Sequence, residues 1–228
     1  MIIFALDSSG SAASAAVMKD GKILAESYSN VGLTHSVTLL EICDQVFARA
    51  SLTPADVDVF AVSEGPGSFT GLRIGVSLIK GFAFRYDRPC ISVSTMEAIA
   101  GNIRSPGTLI VPVNDARRDR VYYAAFRDGV RLAEDSVAEI SELPGVLSEY
   151  GDFCLLAGDA AQKTASLIGS SFRCEAVSEH ITMCRASSVA TAALVLYNSG
   201  STLSVSELAP KYHQLSQAER ERNKQINN

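Results

Sequence analysis

The sequence predicts a two-lobed α/β protein, and three observations carry that prediction. Three short apolar segments open the chain, and Asp20-Gly21, a strong hairpin signal, separates the second from the third. Helical and strand patterns alternate after them. Beyond Ser105-Pro106-Gly107 the chain starts again on strands, and 228 residues are enough for two modest lobes, each with a core. The expected lobes are residues 1–104 and 105–228, the second ending in a polar tail, with its last segment packing back on the first lobe.

Each element follows from local pattern. Residues 2–6, 12–18 and 22–28 read as adjacent antiparallel strands, with Asp7-Ser8-Ser9-Gly10 as the first turn. A helix over 35–50 places Leu39, Leu40, Ile42, Cys43, Val46, Phe47 and Ala50 on one face, and Thr53-Pro54 closes it. A strand at 57–63, a glycine-rich turn, a helix over 70–85, a strand at 90–93 and a helix at 95–103 complete the first half. Strands at 108–113, 120–127 and 130–138 open the second. Helices near 141–150, 160–168 and 186–198 follow, with a strand at 153–157. The tail from Gln217 is polar throughout.

Composition narrows the function. The chain is 47% hydrophobic and 20% charged, with a formal net charge of -5, so it lacks the basic footprint of a protein that grips nucleic acid alone. The opening MIIFALDSSG has no positive n-region and Asp7 interrupts its apolar run, which argues against a signal peptide. No apolar stretch reaches membrane-spanning length. Five scattered cysteines (Cys43, Cys90, Cys154, Cys174, Cys184), none in a CxxC pair, read as reduced thiols of a cytoplasmic protein.

The signature is Gly65-Pro66-Gly67-Ser68-Phe69-Thr70-Gly71-Leu72-Arg73-Ile74-Gly75, placed where a strand turns into a helix. Such a helix start can hold an anion, or the glycines can simply permit close packing. Glycines at 65, 67 and 71 give GxGxxxG, which is neither the dinucleotide fingerprint nor a P-loop. On the helix, Leu72, Ile74, Val76, Leu78, Ile79, Phe82, Ala83 and Phe84 cover roughly 280° of the circumference at 100° per residue. Only Thr70, Arg73, Ser77 and Lys80 form a polar strip, and Gly71, Gly75 and Gly81 remove bulk. That pattern fits a helix buried within its lobe or one shared with a partner.

Catalytic sets are missing from the pattern. Asp7-Ser8-Ser9 could face a phosphate, but such a turn more often caps its own backbone. His35 has Thr38 and Leu39 where a helical metal site would want a second histidine, and His180 and His213 are remote in sequence. No serine lies in GxSxG. Asp115 and Asp119 flank Arg117 and Arg118, which suggests ion pairing within a loop. The run Arg117, Arg118, Arg120 reads as a solvated basic loop or a phosphate contact.

Taken together these residues resemble the TsaB (YeaZ) family. Asp7-Ser8-Ser9, His35-Ser36 with Leu39-Leu40, the block from Gly65 to Gly75, Asp115-Ala116-Arg117-Arg118 with Val121-Tyr122, and Pro210-Lys211-Tyr212 stand in the family's order, almost end to end. Ser8 stands where the family often has Thr, Val37 where Glu is common, and Glu41 in the usual proline region. The resemblance implies two ribonuclease-H-like lobes of the actin/Hsp70/sugar-kinase superfamily, with mixed sheets flanked by helices. It implies a non-catalytic accessory subunit in making N6-threonylcarbamoyladenosine next to the tRNA anticodon. The partners would be the catalytic subunit TsaD, which carries a metal on a histidine pair, and the ATPase TsaE, with tRNA met only through the complex and a homodimer in isolation. The pairing surface would be the first two helices, through Leu39, Ile42, Cys43, Val46, Thr70, Arg73, Ile74, Ser77, Leu78 and Gly81. No cofactor, metal or catalytic residue is expected, Asp7, Ser8 and Ser9 being a vestigial phosphate loop. The alternative is a stand-alone nucleotide-dependent phosphotransferase or ATPase of the same superfamily, motivated by Asp7 and the glycine turn. Relatives have also been described as proteases, which nothing in these residues motivates.

Overall fold

Strand β1 (Ile2–Asp7) is apolar at nearly every position because both of its faces are covered, the mark of a central strand. It pairs antiparallel with β2 (Ala13–Lys19), and β2 with β3 (Lys22–Ser29), through the expected Asp20-Gly21 turn, where both residues have positive φ. The computed structural model describes residues 1–32 and 35–213; the polar tail from Gln217 and the side chain of His35 lie outside the described residues.

Helix α1 (His35–Ala50) ends where Ser51 turns left-handed, just before Pro54. Strand β4 (Val59–Gly65) starts two residues later than expected, because Val57 closes a short 3₁₀ turn over Pro54–Asp56. Helix α2 (Phe69–Tyr86) is capped by Ser68, whose Oγ accepts from the Gly71 N–H, and ends at a left-handed Asp87. Strand β5 (Cys90–Ser94) leads straight into α3 (Thr95–Ala100), three residues shorter than the sequence suggests.

The second sheet is built from β6 (Leu109–Asp115), β7 (Arg120–Arg127) and β8 (Val130–Glu139). The short α4 (Leu143–Leu147), β9 (Phe153–Ala157), α5 (Ala161–Ile168), β10 (Arg173–Ala176), α6 (Glu179–Thr182) and α7 (Ala186–Asn198) follow. The sequence reading overlooked β10 and α6, which are four residues each and carry no clear period.

The two sheets share one plan. The first runs β3-β2-β1-β4-β5 and the second β8-β7-β6-β9-β10; in each, three strands form an antiparallel meander and two more add parallel to the first of them. The outer face of the first sheet packs on α1 and α2 through Phe4, Phe60, Val46, Ile79 and their neighbours. The outer face of the second packs on α4 and α5. Between the sheets lies a third core shared by both, into which α3 and α7 send Met96, Ile99, Val189 and Ala193 beside Ile110 and Phe126.

The chain then returns to the first sheet. Helix α7 packs across β1, β2, β4 and β5. Its first amide, Ala186 N–H, donates to Ser14 Oγ at 2.9 Å. Leu203 pairs with Cys90, Leu208 is fully buried, and Lys211 N–H donates to the Glu64 carbonyl at 2.8 Å. Among the described residues no helix is long and apolar enough to cross a membrane.

Candidate functional site

Because the lobes share a plan, their equivalent turns face one another. The β1–β2 turn meets the β6–β7 turn, and the glycine turn after β4 has its counterpart at Gly158-Asp159 after β9. Ser9, Ser11, Ser68, Thr70, Asn114, Asp115, Arg117 and Asp159 from these four turns line a cleft of about 500 Å³, closed on one side by Lys211, Tyr212 and His213.

Asp7 lies at the root of this cleft and is almost completely buried. Its Oδ1 accepts from the Ser63 hydroxyl at 2.5 Å, the Ser9 hydroxyl at 2.7 Å and the Ser9 N–H at 3.2 Å. Ser8 donates to the Gly71 carbonyl at 2.8 Å. The three residues thus tie their own turn to β4 and α2. The glycine signature serves the same contact. Ser68 N–H donates to the Ser9 carbonyl at 2.7 Å, and a Cβ on Gly67 would stand 2.3 Å from that oxygen. Gly65 has φ +121°, and the Lys211 carbonyl crosses it so closely that a Cβ would lie 2.7 Å away. Only glycine lets the three segments stack.

The second lobe repeats the arrangement. Gly158 lies against the Val113 carbonyl, Asp159 N–H donates to Asn114 Oδ1 at 3.2 Å, and Asp115 N–H donates to Asp159 Oδ1 at 2.7 Å. Burial holds the Asp159 carboxyl above the usual carboxylate range, against the opposing pull of the Asp115 N–H. Arg117, Arg118 and Asp119 are three successive residues with positive φ. The ion pairing expected inside this loop is not formed: Asp115 accepts the backbone N–H of Arg117 at 3.0 Å and Asp119 reaches Lys163 at 2.7 Å. Arg117 and Arg118 are exposed, Arg117 on the cleft wall.

Histidines are dispersed. His213 is at the cleft rim and His180 in a neighbouring hollow with Tyr28 and Arg185. Among the described residues no three His, Cys, Asp or Glu side chains gather as a metal set would require. Burial pushes the thiols of Cys43 and Cys154 up to about 12 and that of Cys90 to about 11; Cys184, packed against Asp7, is also raised, first by burial.

The second feature is the outer face of α1 and α2. Of the ten positions expected on a partner surface, four are displaced to the interior: Leu39, Ile42, Cys43 and Val46 are buried against the sheet. In the single chain the apolar periodicity of α1 at these positions is taken up by packing on its own sheet. Thr70, Arg73, Ser77 and Gly81 are exposed, and Ile74 and Leu78 half-buried. Together with Ser36 and Leu40, and with Leu39 at its floor, Arg73, Ile74, Ser77 and Leu78 form an open groove of about 480 Å³ between the helices. Val37 and Leu40 are exposed apolar residues on α1 that the sequence reading did not single out for this face, and Phe84, counted with the apolar arc of α2, is 81% exposed. Also missed was a cluster at the start of α2. Tyr212 stacks on Phe69 with ring centres 4.6 Å apart, and Arg73 Nε donates to the Tyr212 hydroxyl at 2.8 Å. The Phe69–Arg73 spacing of four on a helix was the available signal.

Comparison with known proteins adds to this geometry. Residues 29–219 match the family model of TsaD, tRNA N6-adenosine threonylcarbamoyltransferase. The chain is 34% identical over 139 residues to the tRNA threonylcarbamoyladenosine biosynthesis protein TsaB of Bacillus subtilis, covering 61% of this chain and 61% of that one. It is 33% identical over 143 residues to the Escherichia coli protein of the same name, covering 60% and 62%. The chain thus spans about three fifths of these relatives' length. Among solved structures it is similar to YeaZ from Pseudomonas aeruginosa, with a TM-score of 0.75 and 22% identity over 92% of this chain and 99% of that one. The repeated plan of the two sheets is also similar to the fold of the activator of the 2-hydroxyisocaproyl-CoA dehydratase from Clostridium difficile, with a TM-score of 0.50 and 12% identity over 88% of this chain and 97% of that one.

Proposed function

Because the chain belongs to the TsaD family of tRNA N6-adenosine threonylcarbamoyltransferases and, within it, to the TsaB (YeaZ) group, we propose that it is the accessory subunit of a tRNA threonylcarbamoylation complex. It binds a TsaD-type catalytic subunit and stabilises or activates it, with a TsaE-type ATPase as a third component. It contributes no catalytic residue of its own. The observation that carries this reading is the groove of α1 and α2, where Leu40, Ile74 and Leu78 leave apolar surface uncovered. The burial of Asp7, with its Oδ1 engaged by the Ser9 and Ser63 hydroxyls, supports it, since a phosphate-handling carboxylate would be left open toward the cleft. The formal net charge of -5 supports a tRNA contact made through the complex. In isolation the same groove would pair two copies.

The test is binding by purified proteins. Ile74→Glu or Leu78→Glu places a charge in the contact and should weaken association with the TsaD-type subunit by at least about 100-fold, with an unchanged circular dichroism spectrum and melting temperature. Unaltered binding would reject the interface. Reconstituted tRNA modification with and without the chain then tests the role itself.

A second reading rests on the cleft, whose hydroxyls, Arg117 and Lys211 could hold a phosphate. Under it the chain is a nucleotide-dependent phosphotransferase. Tight binding of magnesium–ATP to the lone protein, with turnover lost in Asp7→Asn, would favour that reading.

A further inference from the structure

We propose that Arg73 is a pre-positioned cation that receives a carboxylate of the TsaD-type partner, and that Tyr212 and Phe69 hold it ready. The inference rests on the interface reading above and names the chemistry at its centre. Arg73 is the single charged side chain among the described residues lining the groove, with Leu40, Ile74 and Leu78 around it, and no ion pair of Arg73 is formed among the described residues. A cation in an apolar surround, facing outward, calls for an anion from whatever covers it.

Its position is fixed from the other end of the chain. The guanidinium carbon lies 3.9 Å from the centre of the Phe69 ring and 5.8 Å from that of Tyr212. The Nε–H is spent on the Tyr212 hydroxyl, 139 residues away in sequence. The N–H groups on the two terminal nitrogens keep the forked geometry that suits a carboxylate. Tyr212 is held in turn. Lys211 donates its N–H to Glu64, Leu208 is buried in the core, and the Tyr212 ring stacks on Phe69 at an interplanar angle of 28°. A free arginine loses rotamer freedom on binding; one already clamped loses little, and the difference appears as affinity. Tyr212 is therefore a positioning residue, acting through Arg73.

The experiment measures affinity for the cognate TsaD-type subunit at several salt concentrations, using the full chain and its variants Arg73→Met, Tyr212→Phe, the double variant and Ile74→Glu. Arg73→Met should weaken binding about tenfold or more and flatten its salt dependence. Tyr212→Phe keeps the ring stack and removes only the hydroxyl; it should cost about three- to tenfold, a loss that vanishes in the Arg73→Met background. Melting temperatures should stay level, and Arg73→Lys, which keeps charge but not the fork, should fall between. If Ile74→Glu abolishes binding while Arg73→Met leaves it unchanged, the proposal is wrong and the interface survives. If neither matters, the interface itself is wrong. A Tyr212→Phe loss that persists in the Arg73→Met background refutes the positioning role. Disruption of a homodimer alone by Arg73→Met would assign the cation to a second copy and also overturn the proposal.

Discussion

Replacing Gly67 by alanine should destabilise the protein by about 2–3 kcal/mol, and the reason lies in one contact. The added Cβ would stand 2.3 Å from the Ser9 carbonyl oxygen, 3.0 Å from its carbon and 3.0 Å from the Ser9 Cβ. Ordinary contact begins at 3.4 Å, so about 1 Å of separation must be found. The obstacle is backbone, and no side-chain rotation relieves it. Moving the glycine turn away stretches the Ser68 N–H bond to the same oxygen, now 2.7 Å, a loss of about 1 kcal/mol. Overpacking adds about 1–3 kcal/mol, and alanine's stiffer unfolded chain returns about 0.4–1 kcal/mol. Gly67 is not in the left-handed region, so backbone strain does not enter. Urea unfolding followed by circular dichroism measures the change. In a chain of this size it corresponds to a fall in melting temperature of about 4–12 °C. A Gly67→Ala protein within about 0.5 kcal/mol of the parent would refute the view that this glycine exists to let two turns touch.

Gly81 provides the opposite case. A Cβ there meets nothing within 4 Å, so Gly81→Ala should stabilise α2 by up to about 1 kcal/mol in the same urea assay; if Gly81 lies under the partner, pull-down with the TsaD-type subunit should weaken. Asp7→Ala removes the acceptor of the Ser9 and Ser63 hydroxyls and should lower stability by about 2–4 kcal/mol while leaving reconstituted tRNA modification intact well below the melting point. Activity lost at an unchanged melting temperature would argue for a catalytic Asp7. Stability should also fall as pH rises above 9. The buried thiols of Cys43, Cys90 and Cys154 keep their protons after the unfolded chain has lost them, so the unfolded state binds fewer protons there. Each contributes up to about 1.4 kcal/mol per pH unit, and equal urea midpoints at pH 8 and pH 10 would contradict their burial.

Most strands and helices were legible because each was written in one period. The Asp20-Gly21 hairpin, the α1 stripe from Leu39 to Phe47 and the Gly65–Gly67 turn are all local signals. What periodicity could not reveal is which apolar face meets the chain's own sheet and which meets something else. Leu39, Ile42, Cys43 and Val46 pack on the chain's own sheet, and a single helix of their pattern cannot show how much of itself the core will take. The cleft was only half legible. Asp7-Ser8-Ser9 was recognised as a turn that bonds to itself, whereas Asn114 and Asp159 became visible once the second sheet was seen to repeat the plan of the first. Tyr212 lies far from Arg73 in sequence, so no local rule connects them.

The return of α7 and of the stretch from Leu203 to Lys211 to the first sheet bears on how the molecule can form during synthesis. All five strands of the first sheet have been made by Ser94, yet α7 and the stretch from Leu203 to Lys211, which bonds to β5 and β4, reach it only after another hundred or so residues have emerged. A nascent first lobe therefore waits with its inner face bare, a form open to chaperones and to mispairing. A fragment ending at Arg104 should accordingly aggregate or remain partly unfolded, and supplying residues 105–228 in trans should rescue it if the order of assembly is flexible. Ribosome-bound intermediates should become protease-resistant late and in one step, when the last stretch reaches Glu64.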